Sequence, residues 1–378
     1  MRFLFASDSF KGTISSARAA ELLSDAARAA FPLAQLHALE VADGGEGTVD
    51  AVVSAVGGTL RVAEVRGPRG DMIKARYGLL DGNRAIIEMA AASGLPLLSP
   101  RQRDPRKTST WGTGELIAHA LDQGVRELSL AIGGSATNDA GMGCMSALGA
   151  RFLDAQGREL TGVGSDLARV EHIDLSGMDD RLSQTRVMVM CDVDNPLLGP
   201  RGATRVFGPQ KGATQEVVEE LEAGMAHFAE VLASTLPQFD AMAAGAGAAG
   251  GLGGALQAFL GARLVPGIEH VLDLVGFDEL LVGCDLCVTG EGHADAQSAH
   301  GKVISGVAAR CRAAGVPCVA VVGGMDADAL ELHDCGVYAL VPTVIDASSI
   351  KDVLAHAERN YAMAARRLFD LLKLGSQL

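Results

Sequence analysis

Short apolar runs alternate along this chain with glycine-rich polar loops, and toward both ends each loop is followed by apolar residues spaced three and four apart. That rhythm predicts strand, loop, helix, repeated. Residues 2–6 (RFLFA) read as a strand, SDSFKGT as a loop, and residues 15–30 as a helix with Thr13 or Ser15 as its cap. Residues 36–41, ADGGEGT and an apolar helix reaching Val56 repeat the unit. Far along the chain, residues 280–289 (LLVGCDLCVT) read as a buried strand. Gly290, Gly292 and Gly301 then free a charged loop to turn before a helix over 303–314 that Gly315 stops. Strands over 316–322 and 337–341 and a helix over 349–374 close the chain.

From Gly58 the pattern changes. Residues 60–65, 73–80 and 84–89 alternate as half-buried strands, and Asp81-Gly82 predicts a tight hairpin between the last two. Strands over 128–132 and 187–191 and helices over 114–123 and 214–236 follow. The expected fold class is α/β, with two α/β domains. A Rossmann-like doubly wound domain is built from both chain ends (1–58 and 283–378), and a second, mixed α/β domain (59–282) is inserted into it.

Composition narrows the function. With 48% hydrophobic and 21% charged residues the chain is globular, and 378 residues suffice for two cores. A formal charge of -14 argues against nucleic acid or an anionic membrane surface as a partner. The apolar core of MRFLFASDSF is too short for a signal peptide, and the uncharged stretch 241–262 carries seven glycines, a poor membrane helix. Seven cysteines, with Cys191, Cys284, Cys287 and Cys318 inside apolar runs, suit reduced thiols and a cytoplasmic location. Cys284 and Cys287 form a C-x-x-C, but within an expected strand and without a second pair, which favours neither redox chemistry nor zinc.

The polar loops at strand ends hold the candidate chemistry. Asp8 and Lys11 suit a small acid, Lys11 supplying the positive charge. Asp43 and Glu46 flank a Gly-Gly turn at a helix mouth and suit metal or proton work. Ser135, Thr137, Asn138 and Asp139, among glycines, form a cradle for carboxylate or phosphate. Asp192 ends a buried strand and is the preferred catalytic acid, able to ligate magnesium or take a hydroxyl proton. Lys211 lies in a long loop of the kind that often binds ligands. Glu291, His293, Asp295, Gln297, His300 and Lys302 crowd the loop before the helix over 303–314, whose amides suit anions. GAGAAG (245–250) fits G-x-G-x-x-G with Glu269 about twenty residues on, yet FDAMAA before it makes no strand, so a glycine-rich bend packed on a neighbouring helix is expected instead.

SDSFKGT, ADGGEGT, IGGSATNDAGMG, CDVDNPLLGPRGA, FGPQKGA, GAGAAGGLG and TGEG-x-x-D-x-Q-x-x-x-GK, in this order, resemble the bacterial type I glycerate kinases from residue 3 to about 345. The resemblance implies ATP-dependent phosphorylation of D-glycerate with Mg2+, to 2-phosphoglycerate, in glyoxylate, aldarate and organic-acid carbon metabolism. Lys11 and the loop from Ser135 to Asp139 would hold glycerate, and Asp192 or Asp43 would take the proton. Glu291 and Asp295 would place magnesium, and Lys302 with Lys211 would neutralise the triphosphate. His293 departs from the family, which usually has an arginine there: an imidazole replaces a permanent guanidinium. A kinase making 3-phosphoglycerate and an NAD-dependent hydroxy-acid dehydrogenase are the alternatives, and the sequence leaves monomer and homodimer both open.

Overall fold

The computed structural model describes residues 1–10, 12–299, 301–344 and 349–377. They divide into two compact units: Met1–Asp43 with Ser54–Val56 and Gly267–Leu378, and Gly44–Val53 with Gly57–Pro266. The second unit thus ends earlier than the expected 282. Helices Gly267–Leu274 and Phe277–Leu281 bury Ile268, Leu272, Phe277 and Leu281 in the core of the first unit, which claims them.

The first unit is built on a five-stranded sheet in the order Val337–Pro342, Cys318–Met325, Leu286–Ala294, Arg2–Ser7, Gln35–Glu40, with every neighbouring pair parallel. Its inner strands are apolar on both faces, as a sheet covered on two sides requires. Phe3 and Phe5 face helices Ser16–Ala30 and Ala357–Gly375, while Leu4 and Ala6 face helix Val303–Ala314, the two-residue alternation of a strand. Ser15 caps the first helix, its side chain accepting from Arg18 N at 3.1 Å. The closing helix buries Tyr361, Ala364, Ala365, Leu368 and Phe369, one apolar stripe, and a separate helix Ile350–Ala355 precedes it.

One expectation fails here. Of residues 280–289 only 286–289 are strand: Phe277–Leu281 is helical, and the central strand runs from Leu286 to Ala294, carrying Thr289, Gly290, Glu291 and His293 within it. Its glycines serve close approach rather than a turn. A Cβ on Gly290 would sit 2.1 Å from Val321 O, and one on Gly323 would sit 2.2 Å from Gly292 O.

The second unit holds a six-stranded mixed sheet, ordered Arg263–Val265, Arg186–Met190, Glu127–Ala131, Arg84–Glu88, Met72–Leu79, Thr59–Arg66. The first four strands are parallel, and the last two join antiparallel, as the alternating pattern predicted. Gly82, with φ 71°, makes the hairpin turn. Tyr77, Ile87, Leu116, Leu130, Met145 and Phe228 are buried in one core. Among the described residues no helix is long and apolar enough to cross a membrane.

Candidate active site

The carboxyl ends of the first unit's parallel strands open onto a cavity of about 740 Å³, the place where open α/β sheets take ligands. Asp8, Asp43, Glu291, His293, Asp295 and Lys302 line its polar side. Phe10, Ile14, Ile350, Val353 and Leu354 line the apolar side. The polar groups arrive on several elements, Glu291 and His293 together on the central strand Leu286–Ala294. Asp8 follows the strand Arg2–Ser7, its amide donating to Gly290 O at 2.9 Å and its Oδ1 accepting from Ser9 N at 2.6 Å. Asp43 follows Gln35–Glu40, and Lys302 stands at the mouth of helix Val303–Ala314. Lys11 and His300 lie outside the described residues, and Gln297 is exposed.

Glu291 sits on the central strand opposite Val322 and is only 6% exposed. Burial pushes its carboxyl above the ordinary range; Ser298 and Lys302 pull the other way, and Asp8 and Asp295 add to the rise. Its Oε1 has no hydrogen-bond partner among the described residues. For Asp295 burial also pushes up, but Lys302 and Ser298 outweigh it and hold the carboxyl below its usual value. The Lys302 ammonium is 3.5 Å from Asp295 Oδ1, and Ser298 N donates to the same oxygen at 3.0 Å. His293 pairs instead with Asp326, its Nε2 3.3 Å from Asp326 Oδ1, both side chains exposed.

In the second unit, the loop expected to cradle a ligand is buried and bonded to protein. Asp139 accepts from Thr110 N (2.7 Å), Thr110 Oγ1 (2.8 Å), Gly143 N (3.2 Å) and Gly141 N (3.3 Å). Burial raises its pKa against those four donors. Asn138 Nδ2 donates to Thr204 Oγ1 at 3.1 Å, and Thr137, fully buried, gives its carbonyl to Lys211 Nζ at 2.6 Å. Ser135, on the rim of that loop, bridges to Gly94. Lys211 is therefore no open loop cation: burial drives its pKa down to about 7, with Asp139 opposing. Among the described residues, Thr137 Oγ1 and Asn138 Oδ1 are the buried side-chain oxygens of this loop without a partner.

Asp192 lies two residues beyond strand Arg186–Met190 and is exposed, while its neighbour Asp194 is held by Arg201 at 2.7 Å. Glu88 does not stand out in the sequence. It ends strand Arg84–Glu88, accepts from Val49 N at 2.8 Å, and has its pKa raised by burial. The available signal was an acid closing the apolar run RAIIE. GAGAAG follows no strand. A Cβ on Gly247 would lie 2.1 Å from Pro196 O and one on Gly250 2.0 Å from Thr137 O, so the bend packs closely on two loops. Ala248–Gly251 also lies against helix Ala203–Phe207, the neighbouring helix that was expected.

A doubly wound sheet offering carboxylates and a lysine to one cavity defines an α/β enzyme acting on a small, charged molecule. A profile of the glycerate kinase family matches residues 3–373. The chain is 43% identical over 379 residues to the glycerate kinase of Bacillus subtilis strain 168, covering 100% of this chain and 99% of that one. It is 42% identical over 376 residues to the glycerate 2-kinase of Escherichia coli K12, covering 99% of each. A crystal structure of a Salmonella typhimurium LT2 protein assigned as a glycerate kinase 2 superposes with a TM-score of 0.91 at 45% identity, covering both chains fully. The chain belongs to the glycerate kinase family, and it is a kinase.

Proposed function

We propose that this enzyme transfers the γ-phosphoryl group of ATP to the 2-hydroxyl of D-glycerate, releasing ADP and 2-phosphoglycerate, in the organic-acid carbon metabolism of the cytoplasm. The observation that carries the reading is the first unit's cavity, where four carboxylates and Lys302 face an apolar wall. Phosphoryl transfer asks for positioning, charge neutralisation and a proton acceptor, and little else. The name of the Escherichia coli relative, glycerate 2-kinase, supports the 2-phosphate as product.

Lys302 neutralises phosphate oxygens at the head of its helix, where the backbone amides add their own attraction. Asp43, which lines the same cavity, takes the hydroxyl proton. Lys11 and Asp8 hold the carboxylate and a hydroxyl of glycerate. Asn138, Thr137, Asp139 and Lys211 shape the loop that carries Ser135. The donor set fits magnesium. Asp295 and Glu291 present hard carboxylate oxygens, and the buried Oε1 of Glu291, without a partner among the described residues, is an acceptor suited to a cation or proton. Bound there, Mg2+ would offset charge on the triphosphate.

Incubation with D-glycerate and MgATP, with ADP release coupled to a readout and the product identified by phosphorus NMR, tests the reading. Absence of ADP overturns the kinase assignment for glycerate, and a 3-phosphate resonance moves the product to the alternative position. Tight NADH binding without ADP release would favour the dehydrogenase.

A further inference from the structure

Three thiols meet in the first unit away from the cavity. Cys287 and Cys318 are register partners in neighbouring parallel strands, so their side chains leave the same face of the sheet. Cys311 comes down onto them from helix Val303–Ala314, which covers that face. All three are fully buried, and their sulfurs lie within 4.8 Å of one another. At this point the pairing of Cys318–Met325 with Val337–Pro342 slips register between Cys318 and Val319, an irregularity of the kind that re-aims a side chain. Cys284, the other half of the C-x-x-C, stands apart, its thiol donating to Leu286 O at 3.2 Å.

We propose that Cys287, Cys311 and Cys318 form a closed binding site for one soft, thiol-seeking d10 cation, with cadmium as the experimental probe. The donor set is three sulfurs, which select soft ions over the hard magnesium of the kinase reaction. The surroundings choose the stoichiometry. Leu281, Val307, Val316 and Val337 belong to the same apolar core, and such a shell does not tolerate net charge. A divalent ion satisfies it by displacing two protons: M2+ plus three thiols gives two metal–thiolate bonds, one coordinated neutral thiol and two released H+, with no net charge left. The ion joins two strands and a helix at the end of the sheet remote from Glu291 and His293. It therefore stabilises the folded state without touching the cavity.

The test uses the whole protein, fully reduced with a phosphine and freed of reductant, titrated with Cd2+. Expected are sulfur-to-cadmium charge-transfer absorption saturating at one equivalent, release of two protons, and a rise in melting temperature. Cys311→Ala should lose all three, whereas Cys144→Ala, which removes a buried thiol from the other unit, should keep them. No stoichiometric absorption, a fall in melting temperature, or absorption retained in a folded Cys311→Ala protein overturns the proposal. Should Cys311→Ala not fold, cadmium NMR of the unaltered protein decides. A resonance in the three-sulfur range supports the site, and one in the oxygen and nitrogen range refutes it.

Discussion

Lys302 Nζ lies 3.5 Å from Asp295 Oδ1 across the turn that joins the central strand to helix Val303–Ala314. Both side chains are 32% exposed, so the pair contributes little to folding, below about 1 kcal/mol. Its value is local: the ammonium keeps Asp295 ionised and holds a positive charge at a helix mouth that faces the cavity. Lys302→Met should lower kcat/KM for phosphorylation by roughly 10²–10³, the usual effect of removing one charge-stabilising group. Its melting temperature should stay near that of the parent. Steady-state kinetics and a thermal melt on the same preparation check this, and an activity loss matched by loss of fold would contradict it.

Glu291 makes a pH prediction. Because burial raises its carboxyl, the ionised form appears at a higher pH than for an ordinary glutamate. If that ionised form is needed for turnover, kcat/KM should fall on the acid side through a limb lying above the usual carboxylate range. Glu291→Gln should be slower and should lack this limb. The same limb in the glutamine variant would assign it to another group. Stability runs in the opposite sense: the raised folded pKa favours the protonated protein, so the contribution is full at low pH and fades as pH rises through the folded pKa.

The parallel sheet was readable because strands buried on both faces are continuous apolar runs, and RFLFA could be little else. Asp8 and Asp43 were readable for the same reason, each being the first acid past such a run or close to it. The end of the central strand was not. Glycines in TGEGHA suggest a turn until the facing backbone is known, and what requires Gly290 is Val321 O, thirty-one residues away in sequence. The strand Arg263–Val265 has three residues, too few to show a period. Gly290→Ala tests this account of the glycine. Overpacking against backbone should cost about 1–3 kcal/mol or more, read as a lower urea midpoint, with the far-ultraviolet spectrum retained. An unchanged midpoint would mean that the two strands have room to part.

Lys211 was misjudged from sequence because nothing nearby in the chain announces its burial; its partner, the carbonyl of Thr137, is 74 residues away. A lysine held at about 7 by burial binds its proton less tightly folded than unfolded, so folding is opposed by that proton wherever the unfolded chain still carries it. The sign follows. Below pH about 7 both states are protonated and the penalty is complete; between there and the ordinary lysine pKa it lifts, by at most about 1.4 kcal/mol per pH unit. The urea midpoint of the parent should therefore rise between about pH 7 and about pH 9 relative to that of Lys211→Met, which has no proton to lose. Taking the difference between the two proteins removes every other titrating group they share. A difference independent of pH would show that Lys211 keeps an ordinary pKa, and with it that the lysine reaches solvent in a way its hydrogen bond to Thr137 does not allow.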